Sequence, residues 1–154
     1  MRDEAKIIPF SEKYRDQVRQ VVLGVLEEYG FNYHPVWDSD LDRISEVYCG
    51  RSGFWVAIVR DTVVGTCALL EVSSDTAQLK RMYVLPAYRG KRIGLTLLQR
   101  VVDSANQSGF RKVTLDTTPT MTRAIELYER FGFEKAREEK GRVLYRLTLT
   151  GTVC

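Results

Sequence analysis

Cysteine is scarce in this chain: Cys49, Cys67 and Cys154 are the only three among 154 residues. An odd count with no CxxC pair excludes a disulfide framework and gives no thiolate spacing for a metal. It fits a reducing, cytoplasmic setting with no metal expected. Cys67, inside "VVGTCALL", reads as a small buried side chain. Long apolar runs are also missing. The opening "MRDEAKIIPF" lacks the apolar stretch of a signal peptide, and no segment approaches a membrane span, so no membrane partner is expected. Charge of one sign is not in excess either. The net charge is +3 with 28% charged residues, and no long basic run argues for nucleic acid as a partner. Repeats, low-complexity tracts and Pro/Ser-rich linkers are absent. The length therefore reads as a single domain over residues 1–154 with one continuous core.

What is present is a change of period along the chain. "AKIIPF" reads as a short strand stopped by Pro9. Ser11 can then cap a helix to about Glu28, with Tyr14, Val18, Val21, Val22 and Val25 on one face. After the loop "YGFNYHPVWDSD", Asp38 or Asp40 can cap a shorter helix carrying Leu41, Ile44, Val47 and Tyr48. "FWVAIVR" and "TVVGTCALLEV" are β-rich runs separated only by Asp61, a hairpin signature. "TAQLKRMYVL" is a third strand. A helix with the stripe Ile93, Leu97, Leu98, Val101, Val102 and Ala105 follows, stopped by Gly109. "FRKVTLDTT" is a strand, and Thr120 or Thr122 opens a helix bearing Ala124, Leu127, Tyr128 and Phe131, ended by Gly132. The chain closes as a hairpin around Lys140-Gly141. The order β-α-α-β-β-β-α-β-α-β-β gives an α/β (α+β by some schemes) mixed sheet with helices on its faces.

The stretch "YRGKRIGLTLLQR" then carries the chemistry. A helix that starts after a strand leaves its first N–H groups without intrahelical partners, and its dipole favours an anion there. Gly90 and Gly94 would keep side chains away from that anion, while Arg89, Lys91 and Arg92 add charge-assisted donors. A Walker A loop needs Lys and then Ser or Thr after its last glycine, and Leu95 follows Gly94 instead. A dinucleotide fingerprint needs G-x-G-x-x-G, and the spacing here is G-x-x-x-G.

"LKRMYVLPAYRGKRIGLTLLQRVVDSA" resembles the acyl-CoA-binding segment of the GNAT superfamily of N-acetyltransferases, whose signature is Arg/Gln-x-x-Gly-x-Gly/Ala. Here it is Arg89-Gly90-Lys91-Arg92-Ile93-Gly94, with Arg92 in place of the middle glycine. "TRAIELYERFGFE" is similar to the second signature. The likeness covers roughly residues 5 to 149 and implies a mostly antiparallel sheet with a V-shaped split between its two central strands. It implies acetyl-CoA as acyl-donor cosubstrate and no metal. The backbone of Met82, Tyr83 and Val84 would meet the pantetheine amides, and Arg89, Gly90, Lys91, Arg92, Ile93, Gly94 and Leu95 would wrap the pyrophosphate. A backbone N–H of Met82 or Tyr83 would stabilise the oxyanion.

Tyr128 stands where the family commonly has a tyrosine near the departing sulfur; its other reading is a core aromatic. Gln78 stands where the family often has glutamate, so Glu71 on the preceding strand is the candidate base, beside deprotonation through water. His34 reads as an ordinary loop histidine. Glu27, Glu28, Asp38, Asp40 and Asp42, with Tyr29, Phe31, Tyr33 and Trp37, could select a cationic amine, but read more readily as caps, solvated acids and packed aromatics. The implied function is acetyl transfer to a primary amine of a small molecule or peptide, by a monomer or homodimer. The other reading keeps the fold as a non-catalytic acyl-CoA-binding or regulatory module.

Overall fold

Two tight turns set the sheet's registers. Arg60 and Asp61 have φ of 50° and 64°, and Lys140 and Gly141 have 51° and 75°. Consecutive left-handed residues match the twist of a two-residue hairpin, so each pair reverses the chain. The computed structural model describes residues 4–150, which leaves Cys154 outside the described residues. The strands are β1 (Lys6–Pro9), β2 (Gly53–Val59), β3 (Thr62–Glu71), β4 (Thr76–Val84), β5 (Lys112–Thr117), β6 (Glu134–Glu139) and β7 (Arg142–Thr148). The helices are α1 (Arg15–Glu28), α2 (Ile44–Val47), α3 (Ile93–Gln107) and α4 (Thr122–Phe131). Their order is the one the sequence predicts.

The sheet runs β1-β2-β3-β4-β5-β7-β6. Every neighbouring pair is antiparallel except β4 and β5, which are parallel. Their pairing covers only Thr76 to Gln78 against Lys112 to Thr114. Beyond Gln78 the two strands part, and a V-shaped opening lies between them. The sheet's far edge is β6 rather than the last strand in the sequence, and all six of its residues are exposed. The run Glu-Lys-Ala-Arg-Glu-Glu places charges where an unpaired edge would otherwise invite another strand.

Alternation along β2 sends side chains to both faces, because successive residues of a strand point opposite ways. Val56 and Ile58 meet α1 through Val18, Val21 and Val22, while Trp55, Ala57 and Val59 join the α3 side. The α3 stripe is buried as the periodicity predicts, with Leu97, Leu98 and Val101 wholly enclosed. Truncating Leu97 to alanine there would cost about 2–5 kcal/mol. Two capping expectations fail. Ser11 precedes a 3-10 turn, Glu12 to Tyr14, and its side chain makes no cap hydrogen bond. Asp38 and Asp40 are not solvated caps: both are buried, for a reason that belongs to the site.

Candidate active site

The site begins with an irregularity in β4. Thr66 of β3 faces Tyr83, and Ala68 faces Lys80, so Cys67 stands opposite both Arg81 and Met82. One residue against two is a β-bulge, which bends the strand and re-aims its groups. Arg81 takes φ of 55°, and its carbonyl accepts a 2.7 Å hydrogen bond from Thr66 Oγ1. Its side chain is buried against Asp40 (2.5 and 3.0 Å) and Asp38 (3.0 Å). Tyr48 donates to Asp40 at 2.6 Å. Burial opposes ionisation of Asp40, but the Arg81 hydrogen bonds and charge outweigh it and hold its carboxyl below the usual carboxylate range. The loop between α1 and α2 is thereby fastened to β4.

Two cavities meet along this strand, sharing Met82, Tyr83 and Met121. The first, about 610 Å³, lies under the start of α3. Its lining includes Val84, Gly90, Ile93, Gly94 and Leu95, with the guanidinium-bearing Arg92, Arg123 and Arg130. No side chain caps the α3 N-terminus. Gly90 has φ of 77° with open space where a Cβ would lie, so its need is for a left-handed backbone. Gly94 serves packing as well: a Cβ there would come within 3.3 Å of both Leu127 and Met82. Arg92, the departure from the signature, takes φ of 64°, a left-handed conformation that costs a non-glycine residue about 1–2 kcal/mol.

Arg89 is committed elsewhere. It donates to both carboxylate oxygens of Glu28 at 2.6 and 2.7 Å, and through Nε to the Val84 carbonyl at 3.0 Å. Three of its five N–H donors are thus used, one on each nitrogen, tying the end of α1 to the turn. The hydrogen bonds and charge of Arg89 hold the Glu28 carboxyl below its ordinary range, against a smaller opposing effect of burial. Lys91 is outside the lining of the first cavity and rests its ammonium 5.5 Å from the Tyr88 ring centre.

The second cavity, about 890 Å³, occupies the opening between β4 and β5. Gln78, Lys80, Asp116, Arg142, His34 and Tyr128 are among its lining residues. Asp116 accepts from Arg142 Nε at 3.1 Å. His34 Nδ1 accepts the Val36 and Trp37 N–H groups at 3.1 Å, and its ring stacks on Trp37 at 4.0 Å. Trp37 is 76% exposed at this rim, so this loop aromatic is not packed down as the sequence suggests. Tyr128 is buried beside Phe133. Burial, reinforced by neighbouring Cys67 and Tyr83, raises its hydroxyl's pKa, so it stays protonated at neutral pH.

The structure thus gathers Met82, Tyr83, Val84, Arg89, Gly90, Arg92, Ile93, Gly94 and Leu95 around the first cavity and Tyr128 at the second. It does not bring Glu71 there. Glu71 pairs with Ala77 at the closed end of β4, is held by Arg51 at 3.1 Å, and lines neither cavity. The loop acids are likewise unavailable to a cationic amine: Glu28, Asp38, Asp40 and Asp42 bind Arg89, Arg81 and Arg19. Sequence reasoning missed Asp116, Arg142, Arg123 and Arg130. Asp116 carried a signal, since aspartate is depleted in strands and stands here within "VTLDT".

The sequence matches the acetyltransferase (GNAT) family over residues 22–133. It is 34% identical over 124 residues to the uncharacterized N-acetyltransferase YjgM of Escherichia coli, covering 76% of this chain and 74% of that protein. Several longer relatives also match, and the chain spans between 36% and 54% of their length. Among solved structures, an acetyltransferase from Streptococcus agalactiae superposes with a TM-score of 0.89 at 24% identity, covering 96% of this chain and all (100%) of that one. The PaiA N-acetyltransferase from Thermoplasma acidophilum, solved in complex with coenzyme A, gives 0.77 at 17% identity, covering 94% and 99%. With a family match over most of its length and the parted β4 and β5 of that fold, the chain belongs to the acetyltransferase (GNAT) family and is an acetyl-CoA-dependent acetyltransferase.

Proposed function

We propose that the protein transfers the acetyl group of acetyl-CoA to a primary amine of a small molecule or peptide. The observation that carries this reading is the parting of β4 from β5 after Gln78, beside an α3 N-terminus that no side chain caps. The residues present fit the coenzyme. Main-chain N–H groups at the start of α3, with Gly90 turning the chain and Arg92, Arg123 and Arg130 nearby, suit a diphosphate. Arg89 also fastens the turn through Glu28 and Val84. The unpaired edge of β4, Met82 to Val84, offers main-chain partners to the pantetheine amides. The Thermoplasma protein of the same fold was solved in complex with coenzyme A, which supports coenzyme binding by this fold.

The bound thioester supplies an activated acetyl group; the chain's residues position it and manage protons. An amine with a pKa near 10.4 costs roughly 4–5 kcal/mol to present uncharged at neutral pH. Gln78 cannot accept that proton. Asp116 on the facing wall is already paired with Arg142, so solvent in the open cavity takes the proton. As the amine nitrogen bonds the acetyl carbon and the carbon–sulfur bond breaks, Tyr128, protonated and lining the same cavity, donates to the departing sulfur. The proton then lost by the nitrogen returns to the tyrosine oxygen through solvent. Calorimetry with acetyl-CoA and thiol release across a panel of amines test the reading. Coenzyme binding with an acetylated product is expected, and failure to bind any acyl-CoA overturns it. Tight binding without transfer to any amine would instead place the acceptor outside the primary amines.

A further inference from the structure

The buried hydroxyl of Thr66 is spent on an unusual acceptor. Thr66 is completely enclosed, and its hydroxyl donates to the Arg81 carbonyl at 2.7 Å. In a trans peptide the C=O of one residue and the N–H of the next point in opposite directions, and the described residues contain no cis bond. Drawing the Arg81 carbonyl toward β3 therefore turns the Met82 N–H away from β3. On that side β4 has no strand partner, because its pairing with β5 ends at Gln78. Met82 lines both cavities where they join. Tyr83, the other candidate donor, is in register with Thr66, and its carbonyl points back toward Gly65 of β3, 3.2 Å from where a Cβ there would stand.

We infer that Thr66 is a positioning residue that aims the Met82 N–H at the thioester oxygen, where negative charge develops during transfer. This rests on the acetyl-transfer reading above. The bulge is held at both ends: the Arg81 side chain by Asp38 and Asp40, its carbonyl by Thr66. A left-handed arginine within a strand is strained and needs such restraints to persist. A donor fixed before the reaction stabilises the developing oxyanion without reorganising.

The test is the infrared carbonyl band of enzyme-bound acetyl-CoA labelled with ¹³C at the thioester carbon. A hydrogen bond to that oxygen lowers the band below its position in water. The wild type lowers it, Thr66→Val largely removes the added shift, and Thr66→Ser restores it. With an acceptor amine, Thr66→Val lowers kcat roughly tenfold to a hundredfold while KM for acetyl-CoA stays put. Thermal unfolding checks that the variant is folded, and Thr66→Ala gives the same spectroscopic reading should valine not be accommodated. Identical band positions in wild type and variants overturn the inference. If no amine is acetylated by any form, the functional reading fails, and the band still decides the role of Thr66.

Discussion

The two cavities share three residues but are built in opposite ways. The first draws most of its wall from one continuous stretch, Met82 to Leu95, plus one side of α4. Its chemistry is main-chain chemistry: a left-handed glycine and a helix start, with cations from the turn and from α4. The second draws on the loop after α1, on β4, β5 and α4, and on the first residue of β7. Several of its charges are already matched, Arg81 by Asp38 and Asp40, and Arg142 by Asp116. On the proposed reading, the coenzyme is met by local backbone geometry and the acceptor by side chains brought from far apart.

The sharpest way to break that contrast is Asp40→Asn. Removing a charge from a buried pair costs roughly 3 kcal/mol of stability, read by urea unfolding at pH 7, with acetyl-CoA affinity unchanged. The sign with pH follows from the depressed Asp40 carboxyl. Its contribution is present above the unfolded value near 3.9 and is lost as pH falls through the folded one. The variant therefore has the flatter acid limb, and equal limbs would mean that Asp40 is not ionised in the native state.

Tyr128→Phe comes next. It should lower kcat by roughly 100-fold, the low end for a lost acid, and leave the calorimetric Kd for acetyl-CoA as it was. Normal turnover would return Tyr128 to packing alone. Glu28→Gln loosens the clasp on Arg89, a partly exposed pair worth about 1 kcal/mol. A several-fold weaker Kd for acetyl-CoA is expected. Tighter binding would instead mean that Glu28 withholds Arg89 from the phosphates. The smallest effect belongs to Arg92→Gly. Relief of the left-handed backbone should raise stability by up to about 1 kcal/mol, seen as a higher melting temperature, while loss of the cation weakens coenzyme binding about twofold.

Legibility in the sequence follows the range of the forces. The α3 stripe, the Lys140-Gly141 turn and the two signature stretches were readable because helical period, turn chemistry and glycine placement act over a few residues. Arg89 was legible as part of the turn but not as the partner of Glu28, 61 residues away. Glu71 was proposed as a base because adjacency in sequence cannot tell which end of a strand faces an opening. Asp38 and Asp40 suited helix caps locally, and only the buried guanidinium of Arg81 claimed them for the interior.

By itself, then, the sequence determined the order of elements, the buried faces and the anion-receptive turn, since each depends on neighbours no more than a helical turn or a hairpin apart. Tertiary structure alone decided which charges cancel, which strand end opens, and where the Arg81-Met82 peptide points. Those outcomes depend on distances between residues that only the folded sheet brings together.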